Sequence, residues 1–397
     1  MIFKIFLCCF LIIGNSFSQE SVFYSENSES SFKVAKFGLE VYNLNFIKNN
    51  EYFNFIADGY TLLGTQVHPE FIYNSSKNTQ FKAGLFVLKN FGENTVNYTI
   101  PTFTFTYKKK YYKIIIGNLF SRNNHHLIEP LMASEKILGE EVLETGIEYL
   151  YKKNRFSFDI WLNWEKSIEK YDTDREEFMI GFSSKLIILE KEKHSLSVPL
   201  QYVYYHRGGQ INKKYRFENN SNDLILNFNN ASIGLEYYYK LNSKNSKLGL
   251  RYFYLNHKVN TVIEEFPFDK GNAHYFNVNY SSNKINFSVA YYKSDKFISA
   301  KGNDMFQSYS TRINNNYWEG ELDDRYLGYT EPNRELLVSK LIFKKKLSRK
   351  IKLGLQFEGY YQLNNAIINK FDLGNKKNNF DYSYAIYILA NDVFSFK

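Results

Sequence analysis

Cysteine, proline and long apolar runs are scarce in this sequence of 397 residues. The two cysteines, Cys8 and Cys9, stand side by side near the amino terminus, so the rest of the chain is not stabilised by disulfides. Beyond the amino terminus, no segment approaches the roughly 18 consecutive apolar residues of a membrane-spanning helix. A G-x-S-x-G elbow, a glycine-rich phosphate loop and an H-E-x-x-H zinc motif are all missing. These absences exclude a disulfide scaffold and a helical membrane protein, and they predict no catalytic residues, no metal and no cofactor.

Residues 1–18 have the features of a cleavable secretory signal. Lys4 precedes an apolar run at residues 5–13 that is too short to span a bilayer, and the small residues Ser16 and Ser18 precede Gln19. Residues 19–32 are polar and predict a short periplasmic tail. Residues 33–397 are then left to form one folded domain in an exported protein.

Tyrosine (34) and phenylalanine (36) are abundant, and they occur in segments that alternate apolar and polar residues. Within residues 351–363, for example, Leu353, Leu355 and Phe357 point one way while Gln356 and Glu358 point the other. About sixteen such segments follow one another, and their connections are alternately short and long. The pattern predicts an all-β fold, a single transmembrane antiparallel β-barrel with short periplasmic turns and long extracellular loops.

The formal net charge of +9 does not point to nucleic acid. A nucleic-acid-binding protein concentrates its basic residues in a stripe or a recognisable motif. Here they are distributed over many turns of an exported chain. No nucleic-acid partner is predicted.

The final segment, YSYAIYILANDVFSFK, places alternating aromatic and aliphatic residues on one face and reaches an aromatic residue at Phe396. Together with the signal and the sixteen segments, it makes the chain resemble Gram-negative outer-membrane β-barrel porins, although Lys397 follows the last aromatic residue. The tyrosine-, lysine- and asparagine-rich composition is also similar in style to outer-membrane proteins of Bacteroidota. The resemblance implies the cell outer membrane, contact with outer-membrane lipid, and recognition of the last strand by the barrel assembly machinery. Many porins are trimers, so the resemblance leaves a trimer open.

Residues 121–141 interrupt the strand pattern, because Leu127, Ile128, Leu131 and Met132 fall at helical spacing. This connection is the third outer loop, and in porins the third loop folds into the lumen and narrows the channel. The resemblance therefore implies a constriction at this loop. The candidate lumen and constriction residues are His125, His126, Glu129, Glu135 and Lys136 in the loop and Lys82, Lys113, Glu144, Glu148, Asp159, Arg251 and Glu358 on the wall.

Two interpretations of these charges stay open, a transverse field that orients polar solutes and ion pairs that line the barrel. His125 and Glu129 would also share one face of a helix and bind a metal there, but two such ligands are a weak signal. The sequence predicts a porin-like channel for small polar solutes and not an enzyme. The alternatives are a barrel enzyme acting on lipid or peptide through scattered residues, and a structural barrel that binds a partner with its long loops.

Overall fold

Alternating side chains build the wall of a closed barrel in the computed structural model. The structure describes residues 36–119, 124–169, 175–208, 225–241, 246–260, 266–312, 329–364 and 379–396. The predicted signal peptide (1–18) and periplasmic tail (19–32) lie outside these residues. Within this part of the chain, no helix has the length and apolar character needed to cross a membrane.

Sixteen strands pair antiparallel in chain order, and β1 pairs with β16 to close the ring. The strands are β1 (Phe37–Glu51), β2 (Thr61–Asn74), β3 (Thr79–Asn90), β4 (Tyr98–Lys108), β5 (Tyr112–Asn118), β6 (Thr145–Lys153), β7 (Phe156–Lys166), β8 (Glu176–Glu190), β9 (His194–Gly208), β10 (Leu226–Lys240), β11 (Lys247–Val259), β12 (Lys270–Ser281), β13 (Ile285–Asp295), β14 (Asn333–Lys346), β15 (Ile351–Gln362) and β16 (Phe380–Phe396). Short 3-10 helices lie at Asn124–His126, Ser134–Leu138, Glu140–Val142 and Asp304–Phe306. The predicted fold class and strand number are confirmed.

The two faces of the wall follow the predicted period of two. Leu355 and Phe357 point outward and are exposed, whereas Gln356 and Glu358 on the same strand point inward and are buried. Strand β1 extends to Glu51, past its predicted end at residue 46, because the buried inward residues Lys48 and Asn50 continue the alternation with polar side chains. The outward apolar face is the surface that meets lipid.

Apolar side chains fill part of the lumen, whereas the predicted channel for small polar solutes needs a polar path. The largest cluster joins inward residues of β11 to β15 with segments from three connections between strands. Its members are Tyr52, Ala57, Ile128, Leu131, Phe253, Leu255, Ala273, Tyr275, Ala290, Tyr292, Phe297, Met305, Phe306, Leu336, Val338 and Tyr360. We call this cluster the lumenal core.

Candidate functional site

The connection between β5 and β6 lies inside the barrel and crosses it. On one side Lys48 of β1 forms an ion pair with Glu135, and on the other Gln201 of β9 donates a hydrogen bond to the His126 carbonyl oxygen at 2.9 Å. In a ring of sixteen strands, β1 and β9 stand on opposite sides. We call residues 124–141 the lumenal loop; residues 121–123 of the predicted loop lie outside the described chain.

His125 anchors the lumenal loop to the wall. Its ring stacks on Trp161 with centroids 3.6 Å apart and planes 6° from parallel. Its Nδ1 lies 2.9 Å from Asp159 Oδ2, and its Nε2 lies 2.6 Å from Glu144 Oε2. Because both ring nitrogens face carboxylates, the ring is held as an imidazolium. Burial opposes this charge, but Glu144 and Asp159 outweigh burial and hold the pKa of His125 well above its ordinary value.

The backbone at this anchor is left-handed. Asn124, His125 and His126 have φ of 52°, 47° and 60°. The helical pairing of His125 with Glu129 is therefore wrong, because a right-handed turn is not formed. Glu129 instead accepts a hydrogen bond from the Ser134 amide at 3.1 Å and lies 3.5 Å from Lys340 Nζ.

The carboxylates around His125 form the one group among the described residues with the spacing of a metal site. Donor atoms of His125, Glu148 and Asp159 all lie within 4.8 Å of one another. The imidazolium already supplies positive charge there, and Lys136 forms an ion pair with Glu144. In this arrangement the cluster works as a charged anchor for the lumenal loop.

Most of the predicted wall charges form ion pairs with other charged side chains of the barrel interior. Lys82 contacts Glu40 at 2.5 Å and Glu70 at 3.2 Å. In the same way, Arg251 contacts Glu236 at 2.8 Å. On β15, Glu358 contacts Lys340 at 2.7 Å and Lys48 at 3.6 Å. Of the two interpretations left open by the sequence, this geometry is that of ion pairs that line the wall.

A cavity of about 600 Å³ occupies the periplasmic half of the lumen, between the short turns and the lumenal loop. We call it the vestibule. His126 and Gln201 line its inner end, and Lys109 and Lys110 of the β4–β5 turn line its mouth. Of the predicted wall residues, Lys82, Lys113, Asp159 and Arg251 also line it. The vestibule and the lumenal core therefore occupy different parts of the barrel interior.

Sequence reasoning missed a second site, on the outward face of the wall. All seven histidines of the chain lie in the described residues. Strand alternation turns His206 and His274 outward in the extracellular halves of β9 and β12. Of these two, His206 lies nearer the extracellular end of its strand. The signal was present, since period two puts Tyr202, Tyr204 and His206 on one face.

His206 is held by an oriented set of polar partners. Its Nδ1 lies 2.7 Å from Asn227 Oδ1, and the Tyr204 hydroxyl donates to the same oxygen at 2.7 Å. The ring stacks on Phe178, with centroids 4.8 Å apart, and Phe178 stacks on Trp164 at 5.1 Å. An amide oxygen only accepts, so Nδ1 carries the proton and Nε2 of the neutral ring is an acceptor. Glu176 Oε1 lies 3.8 Å from that nitrogen.

Comparison with solved structures supports the fold. The structure is similar to the outer membrane protein OprD of Pseudomonas aeruginosa (TM-score 0.50, 9% identity, 91% of this chain and 95% of that chain). It is equally similar to OpdL of the same organism (TM-score 0.50, 8% identity, 91% and 99% coverage). OmpT of Vibrio cholerae matches with a TM-score of 0.48, 9% identity and coverage of 90% and 98%. The resemblance to outer-membrane barrels is confirmed for the fold, and the protein resides in the outer membrane.

No curated protein matches the sequence. A family model described as lipid A 3'-O-deacylase-type matches residues 28–397. A deacylase is an enzyme, so the prediction that the chain is not an enzyme is wrong. The error arose because residues of a site on a barrel come from different strands and leave no short motif in the sequence.

Proposed function

Because the chain belongs to the lipid A 3'-O-deacylase-type family, we propose that it hydrolyses an acyl ester of an outer-membrane glycolipid of the lipid A class. The observation that carries the proposal is the outward-facing His206, oriented by Asn227 and placed beside Glu176. Its aromatic neighbours Phe178 and Trp164 are typical of the level where head groups meet acyl chains. An ester of a membrane lipid lies at that level.

The position of the substrate favours His206 over the lumenal histidines. The acyl chain of a lipid stays in the bilayer, and its ester linkage reaches the barrel from outside. His125 is enclosed in the lumen, where both of its nitrogens face carboxylates. His206 instead lies on the outward face near the extracellular end of β9.

The chemistry assigned to His206 is general-base catalysis. Nε2 removes a proton from a water molecule, and the water oxygen attacks the ester carbonyl. The tetrahedral intermediate then breaks its bond to the sugar oxygen, which takes the proton back from the imidazolium. The products are a free fatty acid and a glycolipid with one new hydroxyl group. Asn227 holds the ring in the tautomer that the first step needs, and Glu176 stabilises the imidazolium that it produces.

The test is acyl release from lipid A in vesicles containing the purified protein, followed by mass spectrometry of the glycolipid. His206→Ala should lower the rate about 100-fold or more, since general-base catalysis contributes roughly that much. Asn227→Ala should lower it less, because it frees the ring without removing it. His274→Ala is the matched control, a second outward histidine with a tyrosine hydrogen bond at 2.8 Å. Absence of acyl release by the wild type would overturn the function, and full activity of His206→Ala would overturn the site.

A second candidate function is passage of small polar solutes with the lumenal loop as the constriction. The vestibule supports it, because a charged cavity of about 600 Å³ can hold such a solute. The lumenal core lies on the extracellular side of the vestibule, so passage requires the lumenal loop to move. Deleting residues 122–136 should produce discrete current steps in planar bilayers where the wild type conducts little. His206→Ala serves as the control with an unchanged lumen. An intact deletion variant without current would exclude the channel.

The resemblance to porins also implies two protein partners, the barrel assembly machinery and further copies of this chain in a trimer. The outward face of β16 carries Tyr384, Ile386, Ile388 and Phe394, which are exposed to lipid in the closed barrel. Recognition of this strand by the barrel assembly machinery stays a prediction, as does assembly into a trimer. Truncating residues 394–397 and following the yield of heat-modifiable barrel in the outer membrane would test the first.

A further inference from the structure

The short connections between strands are strongly basic. Six of them are described in full, and together they contain nine lysine and arginine residues but only one carboxylate, that of Glu192. They lie at the end of the barrel where β1 begins and β16 ends. An excess of one sign of charge attracts ions and surfaces of the opposite sign. The position of these cations relative to the bilayer decides which anion reaches them.

Outward aromatic rings mark the level of the membrane surface beside these connections. Rings on neighbouring strands from β1 to β7 pack against one another with centroids between 5.1 and 6.2 Å apart. The members of this aromatic belt are Phe37, Tyr73, Phe81, Phe105, Tyr107, Tyr112, Tyr149 and Phe158. Such a girdle on the outer face of a barrel lies where acyl chains meet head groups.

Three lysines stand over aromatic rings at this level. Lys109 Nζ lies 5.8 Å from the ring centre of Tyr107, a member of the belt. Lys110 Nζ and Lys153 Nζ lie 5.1 and 5.2 Å from the ring centre of Tyr111. We call Lys109, Lys110 and Lys153 the basic rim. The rings place these cations beside the head groups of the periplasmic leaflet.

The charges of the basic rim have no anionic partner in the described part of the chain. All three side chains are exposed, and none forms an ion pair with a described carboxylate. A hydrogen bond of 2.8 Å from the Lys152 amide to the Tyr111 carbonyl oxygen ties the two connections together. It keeps Lys110 and Lys153 beside the same ring, where their like charges repel each other. An anion next to both would offset this repulsion.

We propose that the basic rim binds the phosphate of an anionic phospholipid in the periplasmic leaflet of the outer membrane. Lys110 and Lys153 face the phosphate, while the rings of the aromatic belt pack against the adjoining part of the acyl chains. A zwitterionic phospholipid is bound less well, because its own ammonium group offsets its phosphate and is repelled by the lysines. This site lies at the opposite end of the wall from His206 and is independent of the proposed hydrolysis.

The experiment is native mass spectrometry of the full-length protein in detergent, titrated with dioleoyl phosphatidylglycerol or dioleoyl phosphatidylethanolamine. The wild type should bind phosphatidylglycerol at least 10-fold more tightly. Each lysine beside an anionic head group strengthens binding about fivefold. Lys110→Gln with Lys153→Gln should therefore weaken the binding of phosphatidylglycerol about 25-fold and change that of phosphatidylethanolamine little.

Lys77→Gln with Lys284→Gln is the matched control. It removes two exposed lysines from other short connections, and neither of them lies over a described ring. The control should weaken the binding of phosphatidylglycerol less than about threefold, since surface substitutions away from a site have small effects. Equal losses in the two double variants would mean that the whole positive end of the barrel attracts the lipid, and this would overturn the site.

Two measurements on the wild type complete the test. Raising the ionic strength should weaken the binding of phosphatidylglycerol but not of phosphatidylethanolamine, because exposed charges are screened by salt. Glycerol 1-phosphate should not displace the lipid, because it has no acyl chains to pack on the belt. Displacement would indicate a site for soluble phosphates, and this result, or equal binding of the two lipids, would overturn the proposal. His206→Ala should bind phosphatidylglycerol as the wild type does, so failure of the hydrolase does not affect this result.

Discussion

Replacing His125 by asparagine should release the lumenal loop while leaving the barrel wall intact. Asparagine accepts the left-handed backbone that this position has, with φ of 47°. The substitution therefore removes the imidazolium and the stacked ring without adding backbone strain. His126→Asn is the matched control, because it has φ of 60° and its side chain faces the vestibule.

The expected change in the open population of the lumenal loop follows from the partners that the carboxylates lose. Glu144 keeps its ion pair with Lys136, but Asp159 loses the partner at 2.9 Å and stays buried at 2% exposure. Removing one member of a buried ion pair costs about 3–5 kcal/mol, and the lost ring stack adds about 1 kcal/mol. Every 1.4 kcal/mol changes an equilibrium constant about tenfold. The open population of the lumenal loop should rise by about three to four powers of ten, whereas the control should change it less than about threefold.

Hydrogen–deuterium exchange of peptides covering residues 124–141 measures this population directly. Faster exchange in the loop with unchanged exchange in β6 and β7 is the expected result. Unchanged loop exchange in His125→Asn, or equal acceleration in His126→Asn, would show that the charged anchor does not hold the loop. Acceleration of every strand would mean that the barrel itself depends on it.

The same anchor gives the loop a pH dependence of known sign. The pKa of His125 is raised, so its charge stabilises the folded loop fully below the ordinary histidine pKa of about 6.5. That stabilisation declines as the pH rises above this value and is lost once the pH passes the raised pKa. After correction for intrinsic exchange, the wild-type loop should open on the alkaline side. His125→Asn should lack this dependence, and a wild-type loop that instead opened on the acidic side would contradict the reasoning.

Gly181→Ala should partly release the lumenal loop, because an added Cβ would lie 1.9 Å from the Trp161 ring and displace that ring from His125. Tryptophan fluorescence reports the displaced ring, and hydrogen–deuterium exchange reports the opening of the loop. Gly139→Ala meets no atom nearer than 3.7 Å and should change neither, so a similar effect there would refute this account. Leu355→Arg should lower the free energy of unfolding by about 2–4 kcal/mol in folding titrations, since this outward side chain meets lipid. Lys352→Arg on the inward face of the same strand should cost little. A larger loss of stability for Lys352→Arg than for Leu355→Arg would show that the inward and outward faces of this strand are assigned the wrong way round.

The wall was predictable from sequence because period two has one physical meaning in a barrel, one face to lipid and the other to the lumen. What period two does not report is whether the lumen holds water. A direct signal was present, since Phe253, Leu255, Tyr275 and Tyr292 are large apolar residues at inward positions of β11 to β13. In a water-filled channel these positions would be polar. Inward aromatic residues on neighbouring strands thus predict a packed interior.

The contacts that hold the lumenal loop around His125 were harder to predict, for a different reason. His125 and Glu144 are near in sequence, but Asp159 and Trp161 lie on β7 and Gln201 lies on β9. Their proximity depends on how the lumenal loop turns inside the barrel, and that turn has a left-handed backbone that no residue type in it demands. The resemblance to porins predicted that the loop folds into the lumen, but only the three-dimensional structure shows which residues it contacts.

The route of the lumenal loop also constrains the order in which the protein can be assembled. The loop follows β5, yet its contacts include Lys340 of β14, and its apolar residues pack beside Tyr360 of β15. Those partners lie about two hundred residues later in the chain, so the loop cannot reach its final position before the last third of the wall is in place. The loop therefore takes its final position no earlier than β14 and β15 join the wall. Protection of the loop backbone should accordingly appear late in the assembly of the barrel.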